Sequence, residues 1–487
     1  MKNKLLAFSL LTNLFLTPAY ASGANCLQNI HLYVTAPDTI DMDSCEIKDA
    51  DIPEFMAYLN QHPGITKLTM QYINSTPQFT IALAKNTTLK YLALAEIDAE
   101  KEAMLAFAKN TSLEALHLAG TGEITDEGLA AILTNKTLRE LGVPVEASYS
   151  KENLLKLANS PTLTHIDLYA PIAKASLDSN VIEELSKNKR ITTLWLGDFV
   201  LTDDEIIKIA NMPALTDLSI AYNLIGPKAL AAIANNKQLN NLAFIHDHLD
   251  ADAMAILASN PNIQTLDITE NWIGAAGLSY VASMPKLKHF IGSHANIDDQ
   301  GALALSKSTS IETLELDDNH LGKDAGTYLS NMPKLVLLNI NGNLILDEGA
   351  IALSKNPNIT ALYASVNHIT ALGAKALASM PNLKNLNLYF QSGSSSGGVG
   401  DEGAIALSKS TSLNHLNLRG NTLHNAAAFQ LAKMSLEYLN VRDNYIDSSG
   451  LDTLRNSHTI QRLISDNEMM KSASPKKNWR YGKNIAI

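Results

Sequence analysis

The sequence is poor in cysteine, in aromatic residues and in positive charge. Its 487 residues include 2 Cys and 3 Trp, aromatic residues make up 6%, and the formal net charge at pH 7 is −11. No cysteine follows Cys45, which argues against a thiol-dependent hydrolase or a cysteine-based ubiquitin ligase. The negative balance argues against nucleic acid as the main partner, because binding to phosphates requires a basic surface.

Long hydrophobic runs are also scarce, and the clearest one lies at the N-terminus. Residues 5–16, LLAFSLLTNLFL, follow two lysines and precede the small residues Ala19 and Ala21. This order is typical of a secretory signal peptide, which we place at residues 1–21. The alternatives are a buried helix or a membrane anchor, but the run is about half the length of a bilayer span. The sequence therefore predicts an exported protein, secreted or periplasmic, without a membrane span.

Both cysteines lie directly after this segment. Cys26 and Cys45 fall within residues 22–64, which we expect to form an N-terminal cap. Two cysteines at one end of an exported chain predict a disulfide bond that closes the cap. Two unpaired thiols are the alternative.

One phrase recurs through most of the chain. Its clearest form, Ile311-x-x-Leu314-x-Leu316-x-x-Asn319, begins again 24 residues later at Leu335. Seventeen such phrases begin at Ile65, Leu89, Leu113, Leu138, Leu163, Ile191, Leu215, Leu239, Ile263, Leu287, Ile311, Leu335, Ile359, Leu383, Leu413, Leu436 and Ile460. The period and the pattern resemble those of leucine-rich repeats. A repeat array also accounts for a length that is too great for one ordinary core.

Each repeat divides into a strand and a helix. The alternation of the L-x-L core predicts a short strand with its apolar side inward. In the second half, Ala350 and Leu353 recur at helical spacing, and Asp347 and Glu348 favour a helix N-terminus just before them. The sequence thus predicts an α/β solenoid over residues 65–467, a horseshoe with a parallel concave β-sheet and convex helices, in about 17 repeats of mostly 24 residues.

The asparagine that closes the phrase is predicted to be structural. Its side-chain amide can bond backbone groups that the turn leaves free, so that successive repeats form a ladder. The ladder residues are Asn223, Asn271, Asn319, Asn343, Asn367, Asn421 and Asn444.

The second halves carry a more specific resemblance. GAIAL at 349–353 and 403–407 and GALAL at 301–305 are similar to the GALA subclass of leucine-rich repeats, which is related to the ribonuclease-inhibitor type. This subclass occurs in secreted effectors of bacterial pathogens, and its members bind proteins through the horseshoe. Several members carry an F-box before the repeats, whereas residues 46–64 here are typical of the helical half of a capping repeat. The resemblance therefore implies an effector without an F-box.

Two stretches depart from the repeat pattern. The interval from Leu383 to Leu413 is 30 residues, because a Gly/Ser-rich loop extends from Gln391 to Gly400. Residues 468–487 form a basic C-terminal tail, which would be an extension of the cap, a partner-binding arm or a disordered end.

The side chains that alternate with the inward leucines should line the concave face. Exposed aromatic residues beside charges are typical anchors of a binding surface. The residues that we predict to bind a partner are Tyr169, Trp195, Asp217, Tyr222, His246, Asp267, Glu270, Glu315, Asp317, Tyr363, Tyr389, Tyr438 and Arg442. A solvated face without a partner is the alternative.

One row of residues on this face has the chemistry of metal ligands. His246, Glu270, His294 and Asp318 precede the ladder position in four successive repeats. Imidazoles and carboxylates can bind zinc, and such a site could activate water. However, adjacent strands lie about 4.8 Å apart, so the two histidines would be separated by roughly 10 Å.

Taken together, these features predict an exported, monomeric protein-binding module that is not an enzyme and has no cofactor. We interpret it as a bacterial secreted effector or virulence-associated protein that recognises a host protein through its concave face. A glycan-binding or cell-surface adhesion protein is the main alternative, and a metal-dependent hydrolase is a distant one.

Overall fold

The computed structural model describes residues 30, 34–43, 47–71, 76–95, 101–119, 124–145, 148–170, 176–391 and 398–466. The predicted signal peptide, both cysteines and the basic tail lie outside these residues, so the calls made for them stay predictions. The chain divides into two compact units. Unit 1 comprises Met1–Ile273 and Met284–Leu287, and unit 2 comprises Gly274–Ser283 and Lys288–Ile487.

Unit 1 is built on a sheet whose strands follow one another in chain order. The strands are β1 Val34–Ala36, β2 Thr39–Asp43, β3 Lys67–Gln71, β4 Tyr91–Ala95, β5 Ala115–Ala119, β6 Glu140–Pro144, β7 His165–Tyr169, β8 Thr193–Gly197, β9 Asp217–Ala221, β10 Asn241–Ile245 and β11 Thr265–Asp267. Strand β1 pairs antiparallel with β2. From β2 to β11, every strand pairs in parallel with the next one.

A helix separates nearly every pair of successive parallel strands in unit 1. The helices are α1 Ile52–Gln61, α2 Pro77–Ala84, α3 Lys101–Lys109, α4 Asp126–Ile132, α5 Lys151–Ala158, α6 Ser179–Lys187, α7 Asp203–Ala210, α8 Pro227–Asn235 and α9 Ala251–Leu257. A short 3-10 helix, Asp49–Asp51, precedes α1. The chain reverses between strands through helices because parallel strands cannot be joined by a tight turn.

Unit 2 repeats the same alternation. Its strands are β12 His289–Ile291, β13 Thr313–Glu315, β14 Leu337–Asn339, β15 Ala361–Tyr363, β16 Asn385–Asn387, β17 His415–Asn417, β18 Tyr438–Asn440 and β19 Leu463–Ile464, each parallel to the next. Its helices are α10 Gly274–Ser283, α11 Asp299–Leu305, α12 Lys323–Leu329, α13 Leu346–Leu353, α14 Ala371–Leu377, α15 Gly400–Leu407, α16 Asn425–Leu431 and α17 Ser448–Arg455. The predicted alternation of strand and helix in a parallel solenoid is confirmed.

The core lies between strands and helices, as the period-2 and helical patterns predict. Leu314, Leu316 and Leu338 have no exposed surface, and the buried faces of the helices supply residues such as Leu329 and Leu353. Strands β13 and β14 pair Leu314 with Leu338, so equivalent leucines of successive repeats stack on one another. Among the described residues, no helix is both long enough and apolar enough to cross a bilayer.

The asparagine ladder is confirmed, and it is extended by residues of other types. Asn367 is fully buried, and its amide donates to the carbonyls of Ile340 (2.8 Å) and Ser365 (2.9 Å). In the next repeat Gln391 takes the position, where its Oε1 accepts from the backbone N–H of Asn367 at 3.1 Å. Asp247 takes the position in another repeat and accepts from the backbone N–H of Asn223 at 2.6 Å.

The glycine of the Gly-Ala signature permits close packing of neighbouring helices. A Cβ placed on Gly326 in α12 would lie 2.4 Å from the carbonyl oxygen of Gly349 in α13. A Cβ on Gly349 itself would lie 2.5 Å from a methyl group of Ile345. Glycine is required at Gly326 because no side chain fits there between the two helices, and at Gly349 because Ile345, directly before the same helix, occupies the space.

Candidate protein-binding surfaces

The side of each sheet that the helices leave uncovered is the first candidate surface. We call it the open sheet face; in β13 it carries the side chains of Thr313 and Glu315, and Asp317 follows Leu316 just beyond the strand. These three side chains are half-buried, whereas the alternating leucines are fully buried. The predicted partner-binding residues Glu315, Asp317, Tyr363, Tyr389, Tyr438 and Arg442 all have half-buried side chains in unit 2.

Glu315, Asp317 and Tyr363 belong to one polar group on this face. Strand pairing places Glu315 beside Asn339 and Asn339 beside Tyr363. The Asp317 carboxylate accepts hydrogen bonds from Ser293 (2.7 Å) and from the Asn339 amide (3.0 Å). Burial raises the pKa of the Tyr363 hydroxyl, and the nearby negative charge of Glu315 raises it further. The group is thus held in place by its own contacts.

The last repeats pair aromatic rings with arginine. The Arg419 guanidinium lies 5.1 Å from the centre of the Tyr389 ring and also forms an ion pair with Asp443. Arg462 lies 5.5 Å from the centre of the Tyr438 ring. These distances are typical of cation–π contacts, which orient both partners.

In unit 1, two predicted binding residues are more buried than expected. Trp195 is 8% exposed and lies with its ring centre 4.8 Å from that of His165. Asp267 is 5% exposed and accepts a hydrogen bond from the backbone N–H of Thr269 at 2.9 Å. The expectation that Trp195 and Asp267 are exposed was wrong, because His165 of the neighbouring strand packs against Trp195 and because Asp267 is hydrogen bonded within its own turn.

Tyr169 and Asp217 are half-buried on the open sheet face of unit 1. The Tyr169 hydroxyl donates to the carbonyl of Leu118 at 3.1 Å. The Asp217 carboxylate accepts from the Asn241 amide at 2.6 Å. Through these hydrogen bonds, both side chains also stabilise the sheet.

A buried histidine that the sequence did not single out lies on the same face. His117 is 8% exposed, and its ring nitrogens lie 3.8 Å from the Asp167 carboxylate and 3.9 Å from that of Glu140. Burial alone would lower the pKa of His117, but the two carboxylates outweigh it and raise the pKa to about 9. Gly142 makes room for this arrangement, since a Cβ there would lie 2.5 Å from His117 Nδ1.

A second candidate surface lies where the strands end. From Asp198 to Asp443, the described residues that precede a ladder position have a left-handed backbone, with φ of 61° at Tyr222, 54° at His246 and 60° at Glu270. Side chains rarely adopt this conformation, and here the turn imposes it in successive repeats. The sequence carries a signal for it, because two repeats of unit 2 have Gly342 and Gly420 at this position.

The predicted metal ladder is present as two pairs of residues, one pair in each unit. In unit 1, His246 Nδ1 lies 2.9 Å from a Glu270 carboxylate oxygen. In unit 2, His294 Nε2 lies 3.5 Å from Asp318, and ligand atoms of His294, Asp317 and Asp318 lie within 4.8 Å of one another. Burial raises the pKa of Asp318 and the charge of Asp317 adds to this, whereas His294 opposes it.

The strand ends of unit 1 also expose large apolar side chains that sequence reasoning missed. The residue after each ladder position is Val200, Leu224, His248 and Trp272 in four successive repeats. Of these, Trp272 is 73% exposed and Leu224 is 76% exposed. Comparison of the residues that follow the ladder position, repeat by repeat, would have found this column.

A comparison with family models finds the repeat in three parts of the chain. A family model described as leucine-rich repeat matches residues 109–133, 259–282 and 432–454. A solved internalin from Listeria monocytogenes is 19% identical, with coverage of 86% of this chain and 96% of the internalin and a TM-score of 0.30. No curated protein matches the chain. The repeats and their folded form define a leucine-rich repeat protein.

Proposed function

We propose that this chain is an exported protein-binding module that recognises a host protein through its open sheet face, as a secreted effector or virulence-associated protein of a bacterium. The observation that carries the proposal is the group of Glu315, Asp317 and Tyr363. These side chains are held in a defined arrangement on a face that helices leave uncovered. Solenoids of this type commonly use such extended faces for binding.

Export is supported by the N-terminal pattern of residues 1–21. The bacterial and effector roles are supported by the resemblance of the second halves to the GALA subclass. The charge of the chain, −11, favours a protein partner over nucleic acid. Binding, rather than catalysis, is the activity that we assign to the surface.

A capture experiment with matched variants tests this function. The mature protein serves as bait for host-cell proteins, beside the variants Tyr363→Ala and Glu315→Ala. Tyr280→Ala is the control, because Tyr280 is 44% exposed on helix α10 of the same unit. We expect a captured protein that is lost with the two sheet-face variants and retained with Tyr280→Ala. Equal capture by all four proteins would contradict the proposal.

Glycan binding is the second candidate, because exposed aromatic rings can stack on sugars. Tyr222 is 49% exposed and Phe390 is 44% exposed. A glycan array probed with the mature protein tests this candidate. Binding to a defined sugar that Tyr222→Ala or Phe390→Ala abolishes would favour the adhesion role.

Metal-dependent hydrolysis is the third candidate and depends on His294, Asp317 and Asp318. The proximity of their ligand atoms is the observation in its favour. Comparison of the thermal midpoint with and without a chelator, followed by addition of zinc, tests it. Equal midpoints under all conditions would eliminate this candidate.

A further inference from the structure

The carboxyl ends of strands β8 to β11 form an exposed apolar surface. We call it the strand-end rim, and it consists of Asp198, Val200, Tyr222, Leu224, His246, His248, Glu270 and Trp272. The exposed fractions of its large apolar residues are 73% for Trp272, 76% for Leu224, 53% for Val200 and 49% for Tyr222. Soluble proteins seldom leave several large apolar side chains exposed side by side unless the surface binds something.

The backbone holds the rim in a defined shape. The rim has two columns of side chains, one before and one after the ladder positions, and the buried ladder column lies between them. In the ladder column, the backbone N–H of Asn223 donates to the Asp247 carboxylate at 2.6 Å, and the backbone N–H of Asp247 donates to the side-chain oxygen of Asn271 at 3.1 Å. Because the ladder side chains point inward, the residues on either side of them point outward. Successive repeats lie about 4.8 Å apart, so each column is continuous.

Contacts between the polar aromatic side chains make the rim more rigid. The rings of Tyr222 and His246 are stacked with centres 5.2 Å apart, and His246 and His248 meet edge to face at 5.3 Å. His246 Nδ1 also lies 2.9 Å from a carboxylate oxygen of Glu270. A surface whose side chains are already ordered loses little conformational entropy when it binds a partner.

The charge of the rim loops is of one sign. The loop segments 198–202, 222–226, 246–250 and 268–273 contain four carboxylates and no lysine or arginine. The carboxylates belong to Asp198, Asp247, Asp250 and Glu270. Burial raises the pKa of Asp247 well above its ordinary value, and burial also raises the pKa of Asp198. A complementary partner is therefore apolar and cationic.

The buried amides of the ladder column beside the rim favour a protein over a sugar. Recognition of a sugar requires side chains that are free to bond its hydroxyl groups. The amides of Asn223 and Asn271 are buried and bond backbone groups, and their partners are the carbonyls of Ala221 and Phe244 at 2.8 and 2.6 Å. Val200 and Leu224 offer only aliphatic surface.

We propose that the strand-end rim is the docking site for a protein segment that carries an aromatic or large aliphatic side chain beside a lysine or arginine. This inference rests on the proposed protein-binding function and assigns the main contact to unit 1. The apolar side chain would pack against Leu224 and Trp272, and the cation would face Glu270 and Asp198.

Selection of displayed random short peptides on the purified protein tests the site, with calorimetric affinities for the selected peptides. The test variants are Leu224→Ala and Trp272→Ala. The matched control is Tyr445→Ala, because Tyr445 occupies the same repeat position in unit 2 and is 67% exposed. We expect the selected peptides to pair apolar residues with Lys or Arg. We also expect about tenfold weaker binding by Trp272→Ala, as is usual when an aromatic side chain that becomes buried in the complex is removed. Binding by Tyr445→Ala should be unchanged.

Circular dichroism of each variant shows that it is folded before affinities are compared. The site is wrong if no peptide is enriched, if enriched peptides lack cations, or if Trp272→Ala binds them as well as the original protein. A sugar on a glycan array whose binding depends on Trp272 would assign the rim to glycans instead. If capture of a host protein depends on Tyr363 but not on Trp272, the proposed function stands and the rim proposal fails.

Discussion

Single polar side chains stabilise the turns of both units. Asn367 shows how: its amide donates two hydrogen bonds, and its oxygen accepts from the backbone N–H of Ile345 at 3.2 Å. These backbone groups are buried, so no water replaces the side chain when it is removed. An unpaired buried polar group costs about 1–3 kcal/mol.

We therefore predict that Asn367→Ala lowers the free energy of unfolding by about 2 kcal/mol. Asn382→Ala is the control, because Asn382 also bonds a carbonyl of the preceding repeat, that of Pro357 at 2.9 Å, but is exposed. Its loss should cost less than about 0.5 kcal/mol. Urea unfolding measures both values, and similar losses would show that the ladder position has no special role.

His117 makes the stability of unit 1 depend on pH. Its pKa is about 9 in the folded protein and about 6.5 in an unfolded chain. Because the folded state holds the proton more tightly, the stabilisation is complete below pH ~6.5 and is lost as the pH rises through about 9.

We predict that the original protein is more stable than His117→Gln at pH ~6, by on the order of 3 kcal/mol, and that this difference becomes small above pH ~9. Urea unfolding at a series of pH values measures it. His320→Gln, which changes an exposed histidine of unit 2, should keep the pH profile of the original protein. A difference between the original protein and His117→Gln that does not change with pH would mean that folding leaves the pKa of His117 unchanged.

At the scale of elements, helices α12 and α13 pack closely because each has a glycine where the two helices meet, Gly326 in α12 and Gly349 in α13. The signature at residues 349–353 begins with such a glycine, whereas in α12 the glycine lies one position later in the repeat, at Gly326 after Ala325. The close spacing of these helices thus explains why the motif that resembles GALA repeats contains glycine. The subclass itself stays a prediction.

We predict that Gly326→Ala lowers the free energy of unfolding by about 1–3 kcal/mol or more, because the added methyl group meets the backbone of α13. Gly64→Ala is the control, since a Cβ on Gly64 has no atom within 4 Å. This control should be neutral or slightly stabilising, by less than about 1 kcal/mol. Thermal and urea unfolding compare the two, and equal stability would contradict the close packing.

At the scale of the whole molecule, stability within each unit is distributed along successive repeats. Among the described residues of one unit, a strand pairs only with the strands before and after it, as β14 does with β13 and β15, and neighbouring helices contact one another in the same order. In such an array, the effect of a substitution depends on whether the repeat lies inside the line or at its end.

We predict that Leu338→Ala in β14 lowers the free energy of unfolding of unit 2 by about 2–5 kcal/mol. Ile464→Ala in β19, the last strand among the described residues, should cost less than half as much, because β19 has two residues and, among the described residues, pairs with β18 alone. Leu338 is 0% exposed and Ile464 is 7% exposed, so the two changes remove similarly buried side chains. Hydrogen exchange measures the local effect, and equal global losses would contradict the linear array.

The sequence by itself determined the period, the strand and helix of each repeat and most of the ladder. These features depend on spacing within one repeat, such as the L-x-L of Leu314 and Leu316, and such spacing is visible in a single chain. The sequence did not predict that Gln391 replaces asparagine in the ladder. Only the hydrogen bonds show that its longer side chain reaches the equivalent backbone groups.

Only the tertiary structure decided which side chains are exposed. Trp195 was predicted to be available for binding, yet the adjoining strand places His165 against it. Trp272 was not predicted to bind a partner, yet it is 73% exposed, because the side chain of the preceding residue, Asn271, points inward. Exposure depends on neighbours that are 24 or more residues away in sequence, so no pattern within one repeat determines it.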